Sequence, residues 1–182
     1  MLDDLWNRVK ALYAVETLHG YTEEEIAWLK GKFGALPQVL EEYYCTVGGT
    51  QEFHCVQDEW ILPEHFQRWK WLQQSEDLIL LNENQGVCRA GIRREDLSLP
   101  NPPVYSTEDD QQWEFCAPSV SDFLWAALAY EAVFQFAYGA EEFYWLTDRD
   151  VALLEEKLTE KTLAKLPFAL SNWINGMSIT LY

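Results

Sequence analysis

The sequence predicts one folded domain in which helices and a few hairpin-joined strands share a core. Three observations carry this expectation. Residues 2–47 place apolar side chains at helical spacing, interrupted by glycines and a proline. Residues 78–92 hold two short apolar runs joined through Asn84, Gln85 and Gly86, the turn chemistry of a β-hairpin. After Ser119 comes a long segment that is apolar on nearly every face of a helix. The length of 182 residues suits a single domain over residues 1–182, ample for a buried core. A hydrophobic content of 48% is that of a folded chain, not a disordered one.

The elements follow in order. Leu2, Leu5, Trp6, Val9, Leu12, Tyr13 and Leu18 mark an amphipathic helix, with Gly20 expected as its C-terminal cap. Thr22-Glu23-Glu24-Glu25 reads as a capping box, and its acids suit the positive end of a helix dipole. Ile26, Leu29 and Phe33 form the buried stripe of that second helix, which Gly34 ends. Pro37 is expected in the first turn of a third helix carrying Leu40, Tyr43, Tyr44 and Val47, terminated by Gly48-Gly49. Residues 51–62 allow a strand, and residues 65–73 read as one short helix with Phe66, Trp69 and Leu72 on one side.

Pro100, Pro102 and Pro103 cannot donate ladder hydrogen bonds, so they form a rigid extended lead into a strand at Val104-Tyr105. Gln112-Trp113-Glu114-Phe115-Cys116 alternates with period two and predicts a half-buried strand. Ser119 or Ser121 caps the long helix, which runs to about residue 138 through Val120, Phe123, Leu124, Trp125, Leu128, Val133 and Phe134. Residues 143–146 and 178–182 read as strands, and residues 150–165 as a helix.

The formal net charge is -17, so a nucleic acid duplex or an anionic membrane surface is repelled. Between residues 106 and 160 there are thirteen acidic side chains against two basic ones, Arg149 and Lys157. Such a run is either a solvated face or a surface that attracts a basic partner. Residues 123–140 are interrupted by Glu131 and Gln135 and fall short of the ~20 apolar residues that cross a bilayer. The start, Met1-Leu2-Asp3-Asp4, lacks the features of a secretory signal, and Cys45, Cys55, Cys88 and Cys116 form no CxxC pair. A cytoplasmic protein with reduced cysteines is the expectation.

No catalytic constellation stands out. Cys45, His54, Cys55 and His65 match no structural zinc spacing, and no histidine adjoins Cys88 or Cys116. There is no phosphate-binding glycine motif, and Asp148-Arg149-Asp150 lacks the glycine and distal glutamate of a calcium loop. Glu83, Asn84 and Gln85 serve either turn chemistry or recognition. Trp113, near Asp109 and Asp110, is either core or contact.

Thr22-Glu23-Glu24-Glu25-Ile26 with Leu29, then Leu36-Pro37 with Leu40, Tyr44 and Gly48-Gly49, resembles the N-terminal helical signature of the SUKH superfamily. That superfamily joins bacterial toxin-immunity proteins with fungal cell-wall synthesis regulators. Residues 81–87 and Pro102-Pro103-Val104-Tyr105 are similar to its central hairpin and the strand behind it. The resemblance spans about residues 22–136, including the long helix, and departs at Asn101, where the family usually has an acid. It implies an α+β fold with a mixed or antiparallel sheet flanked by helices. It also implies no enzymatic activity, no cofactor, and direct binding of a protein toxin, often a nuclease, with a basic surface. Joined to the charge pattern, it points to a contact surface of Glu83, Asn84, Gln85, Glu108, Asp109, Asp110 and Trp113. The alternatives are a housekeeping interaction or scaffold role in the same family and, in another class, a small-molecule enzyme.

Overall fold

Six helices and five strands make up residues 2–13, 15–54 and 57–135, the part of the chain that the computed structural model describes. In chain order they are α1 Asp3–Tyr13, α2 Glu23–Phe33, α3 Gln38–Thr46, β1 Glu59–Trp60, α4 Pro63–Arg68, α5 Lys70–Gln74, β2 Leu78–Asn82, β3 Arg89–Ile92, β4 Val104–Thr107, β5 Glu114–Ala117 and α6 Val120–Gln135. The strands form one open sheet in the order β1-β2-β3-β4-β5, each antiparallel to its neighbour. The fold is α+β. The expected strands at 143–146 and 178–182, the helix at 150–165 and the end of the long helix lie outside the described residues.

Local chemistry explains α2. The Thr22 hydroxyl accepts from the Glu25 amide at 3.3 Å, and the Glu25 carboxylate accepts from the Thr22 amide at 2.7 Å. Two amides with no partner inside the helix are thereby satisfied. Gly34 ends the helix at φ 78, where a side chain would be strained, and its N–H reaches the Lys30 carbonyl at 2.8 Å. Pro37 is the residue before α3 (φ -55, ψ 137), one step earlier than the sequence implies. It offers no side-chain cap, and the Val39 amide instead donates to the Pro100 carbonyl at 3.0 Å.

The first helix is shorter than expected. It stops at Tyr13, and Gly20 is not its cap. The chain instead turns to pair with the end of α3. Tyr21 N–H donates to the Tyr44 carbonyl at 2.8 Å, Gly49 N–H to the His19 carbonyl at 2.9 Å, and His19 N–H to the Thr50 hydroxyl at 2.8 Å. A Cβ on Gly20 would lie 1.8 Å from the Cys45 carbonyl oxygen, so the close approach of two backbones requires glycine there. The single helix expected over 65–73 is two helices, broken at Trp69, whose backbone is extended (φ -97, ψ 120).

The core lies between the helices and the sheet. Ile26, Leu29, Leu40, Tyr43, Tyr44, Phe53, Phe66 and Leu72 are fully buried. Leu78, Ile79, Leu80 and Leu81 are all buried, so β2 is covered on both faces. Ser119 caps α6, accepting from the Asp122 amide at 3.1 Å. Asn101 ties the Pro-rich lead to this helix: its Oδ1 accepts from the Ser121 amide at 3.1 Å, as a carboxylate would, and its Nδ2 donates to the Ser121 hydroxyl at 2.8 Å. From Val120 to Ala132 no side chain of α6 is exposed. Phe123, Leu124 and Leu128 are buried, while Trp125 is half-buried under the Arg8 guanidinium, 5.7 Å from the ring centre.

Two alanine substitutions test this account by urea denaturation. Gly20→Ala drives a methyl into fixed backbone and should destabilise by about 3 kcal/mol or more. Gly31→Ala, inside α2 with open space around its Cα, should stabilise by about 0.5–1 kcal/mol. Equal effects at the two sites would contradict the packing described.

Candidate functional site: the acidic end of the sheet

Antiparallel pairing collects three connections at one end of the sheet. Glu59 pairs with Asn82, Asn82 with Arg89, and Arg89 with Thr107. The lead into β1 (57–58), the β2–β3 turn (83–88) and the β4–β5 turn (108–113) therefore lie together. Two stretches far apart in sequence, Glu83-Asn84-Gln85 and Glu108-Asp109-Asp110, meet there, joined by an ion pair between Arg89 and Asp110.

The β2–β3 turn is built around Glu83. Gly86 N–H donates to the Glu83 carbonyl at 2.7 Å, and Gly86 takes φ 72, a left-handed conformation glycine adopts without strain. The Glu83 carboxylate is buried and accepts from the amides of Gln85 at 2.9 Å and Val87 at 3.2 Å. Glu83 is thus part of the turn's scaffold, while Asn84, Gln85 and Val87 are its exposed tip.

The β4–β5 turn follows the same logic. The Asp109 Oδ1 accepts from the amides of Gln112 at 2.8 Å and Gln111 at 2.9 Å. The Gln112 amide first, then the Gln111 amide, hold this carboxyl below its ordinary range. Asp110 adopts φ 61, its amide donating to the Thr107 hydroxyl at 3.0 Å. Glu108 projects into solvent, and Trp113 is half-buried against the core.

Beneath the turns lies a group the sequence reading passed over. Glu131 on α6 is fully buried, yet its carboxylate accepts from the amides of Gln57 at 2.8 Å and Asp58 at 3.0 Å. Asp58 is buried beside it; its Oδ1 accepts from the Asn84 amide at 3.2 Å, and its Oδ2 has no hydrogen-bond partner among the described residues. Burial pushes the Glu131 carboxyl up to about 7 and the Asp58 carboxyl up to about 6. The one sequence signal for this cluster was a glutamate standing alone in an apolar helix, read there only as an interruption of a membrane-like run.

The chemistry available here is recognition by exposed polar and acidic groups on two rigid turns. Burial pushes the Cys88 thiol up to about 11 and the Cys116 thiol up to about 12, so both stay protonated near neutrality. His54 is half-buried, and loss of solvent around its ring pushes it down to about 3, with its Nε2 2.5 Å from the Tyr43 hydroxyl. Among the described residues no three His, Cys, Asp or Glu side chains are placed to hold a metal ion. No family model, no curated protein and no solved structure matches the chain.

The buried carboxyls set a pH dependence. Their folded values lie above their unfolded ones, so protonation favours the fold. That stability is complete at acid pH and is lost as pH rises through about 6 for Asp58 and about 7 for Glu131. Thermal unfolding followed across this range should show the melting temperature falling as pH rises. Glu131→Gln, which cannot ionise, should flatten the slope; an unchanged slope would remove Glu131 as its source.

Proposed function

We propose that this protein is a cytoplasmic, non-catalytic binding protein of the SUKH immunity type, which neutralises a protein toxin by covering a basic surface on it. A nuclease fits this role, because its phosphate-binding surface is basic. One observation carries the reading: the sheet places the polar tip at Asn84 and Gln85 beside the acidic turn at Glu108, Asp109 and Asp110, and ties them with the Arg89–Asp110 pair. Both turns are held by their own internal hydrogen bonds, so little ordering is needed on docking. Val87, 50% exposed at the tip, adds an apolar contact to an otherwise polar surface. A net charge of -17 accelerates encounter with a cationic partner and disfavours nucleic acid itself. Among the described residues no helix is long and apolar enough to cross a membrane, which fits a role away from the bilayer.

The geometry selects the variant for testing. Asp109 and Asp110 hold the turn, so reversing them would disturb its shape along with its charge. Glu108 is exposed and free of that duty. Affinity for the partner toxin domain, measured by calorimetry at low and at high salt, should fall with salt, and Glu108→Lys should weaken it by about tenfold. Salt-independent binding, or full affinity in Glu108→Lys, would place the interface elsewhere.

A further inference from the structure

A shallow groove, largely open to solvent, lies beside the hairpin, lined by Trp69, Trp71, Arg68, Lys70, Asn82 and Arg89, with a volume of about 840 Å3. That size is in the range of small-ligand sites. We propose that it binds a nucleotide-class ligand, a flat heterocyclic ring carrying a phosphate, with the ring against the Trp69–Trp71 wall and the phosphate at Arg68 and Lys70.

The wall exists because the helix breaks. Residues two apart on a continuous helix point about 200° away from each other. The extended backbone at Trp69 resets that angle, and the two indoles lie 20° from parallel with ring centres 6.2 Å apart. His65 stacks on Trp69 at 4.2 Å and 7°, and is itself fixed by the Leu62 amide donating to its Nδ1 at 3.1 Å. At the far end the Arg89 guanidinium lies 4.5 Å from the Trp71 ring centre. The aromatic row is therefore held in place from both ends, with His65 covering one face of Trp69 and Arg89 one face of Trp71.

The floor is polar and equally ordered. Glu59, Asn82 and Arg89 are directly paired across β1, β2 and β3, so they share one face of the sheet. Asn82 Nδ2 donates to the Glu59 carboxylate at 3.3 Å, and Arg89 Nε donates to Asn82 Oδ1 at 3.3 Å. The Asn82 amide keeps a second N–H and a second lone pair, a planar donor–acceptor set that matches the edge of a ring.

Charge decides the ligand class. Arg68 and Lys70 are exposed and form no ion pair with a described residue. Together with Arg89, which already pairs with Asp110, they bring three of the chain's thirteen Lys and Arg residues to one groove, against the carboxylates of Glu59 and Asp110. An anionic group is held locally, while the net charge of -17 repels a long polyanion. A single nucleotide satisfies both conditions, and a nucleic acid strand does not. An acidic peptide meets the charge condition alone, leaving the parallel indoles and the planar floor without a matching group.

The test is a two-dimensional 1H–15N NMR titration of the full chain, with the Trp69 and Trp71 indole N–H signals assigned from Trp69→Phe and Trp71→Phe. The probes are the common ribonucleoside 5′-monophosphates, the matching nucleosides, inorganic phosphate and a glutamate-rich peptide. Saturable shifts of both indole signals and of Arg89 Nε with at least one monophosphate, much weaker with its nucleoside and with phosphate alone, are the expected result. Trp71→Ala should weaken binding by about tenfold or more. Arg68→Ala with Lys70→Ala, both exposed and harmless to the fold, should abolish the advantage of monophosphate over nucleoside. No saturable shift with any monophosphate would overturn the proposal, as would equal binding of phosphate alone. Capture of the peptide with no nucleotide response would overturn it in favour of a peptide site.

Discussion

The carboxylate of Glu131 is the interaction on which the acidic end of the sheet depends. It sits on a helix with no exposed side chain from Val120 to Ala132, where an isolated charge would be costly. It is tolerated because two backbone amides, those of Gln57 and Asp58, point at it. The same contacts fix the lead into β1 against α6. Asp58 then holds the Asn84 amide, and Glu83 holds the amides of Gln85 and Val87. A chain of carboxylate–amide bonds thus runs from the core helix to the hairpin tip, 73 positions apart in sequence at its first step.

This arrangement separates two kinds of acidic residue. Glu83, Asp109 and Asp110 shape turns; Glu108, with the amides of Asn84 and Gln85 side chains, is left facing solvent. A surface defined this way keeps its shape without a partner, which suits the proposed immunity role, because preorganised groups lose little freedom on docking. The groove behind the hairpin follows a different electrostatic pattern, with three cations and two indoles around the carboxylate of Glu59. Arg89 belongs to both: it pairs with Asp110 on one side and covers Trp71 on the other. The two surfaces are therefore mechanically continuous through one guanidinium.

What could be read from sequence was what is decided within a few residues. The Thr22–Glu25 capping box, the Gly34 cap, the hairpin with Gly86 at its turn and the start of α6 after Ser119 are all short-range signals, and each forms where it was expected. The hairpin and the proline-led strand both form, within a sheet that the resemblance implied only as mixed or antiparallel and that is antiparallel throughout the described residues. What was not legible depended on distant partners. Gly20 looked like a helix cap because its real reason, the Cys45 carbonyl, arrives from another helix. The break at Trp69 was hidden because the apolar spacing on either side still fitted one helix. Glu83 was open to turn chemistry or recognition, and only the fold shows its carboxylate turned inward to the backbone. Asp58 gave no local pattern and Glu131 only that of a lone glutamate in an apolar helix, since neither has a reason to be acidic until the fold brings amides to it.

The most direct test of this account follows the side-chain carboxyl carbons of Glu131 and Asp58 by NMR as pH is varied, together with the amide protons of Gln57 and Asp58. The structure predicts a midpoint of about 7 for Glu131 and about 6 for Asp58, with both amides shifting in step with Glu131. Titration of both carboxyls in the ordinary range near ~4, with the amides unmoved, would contradict it.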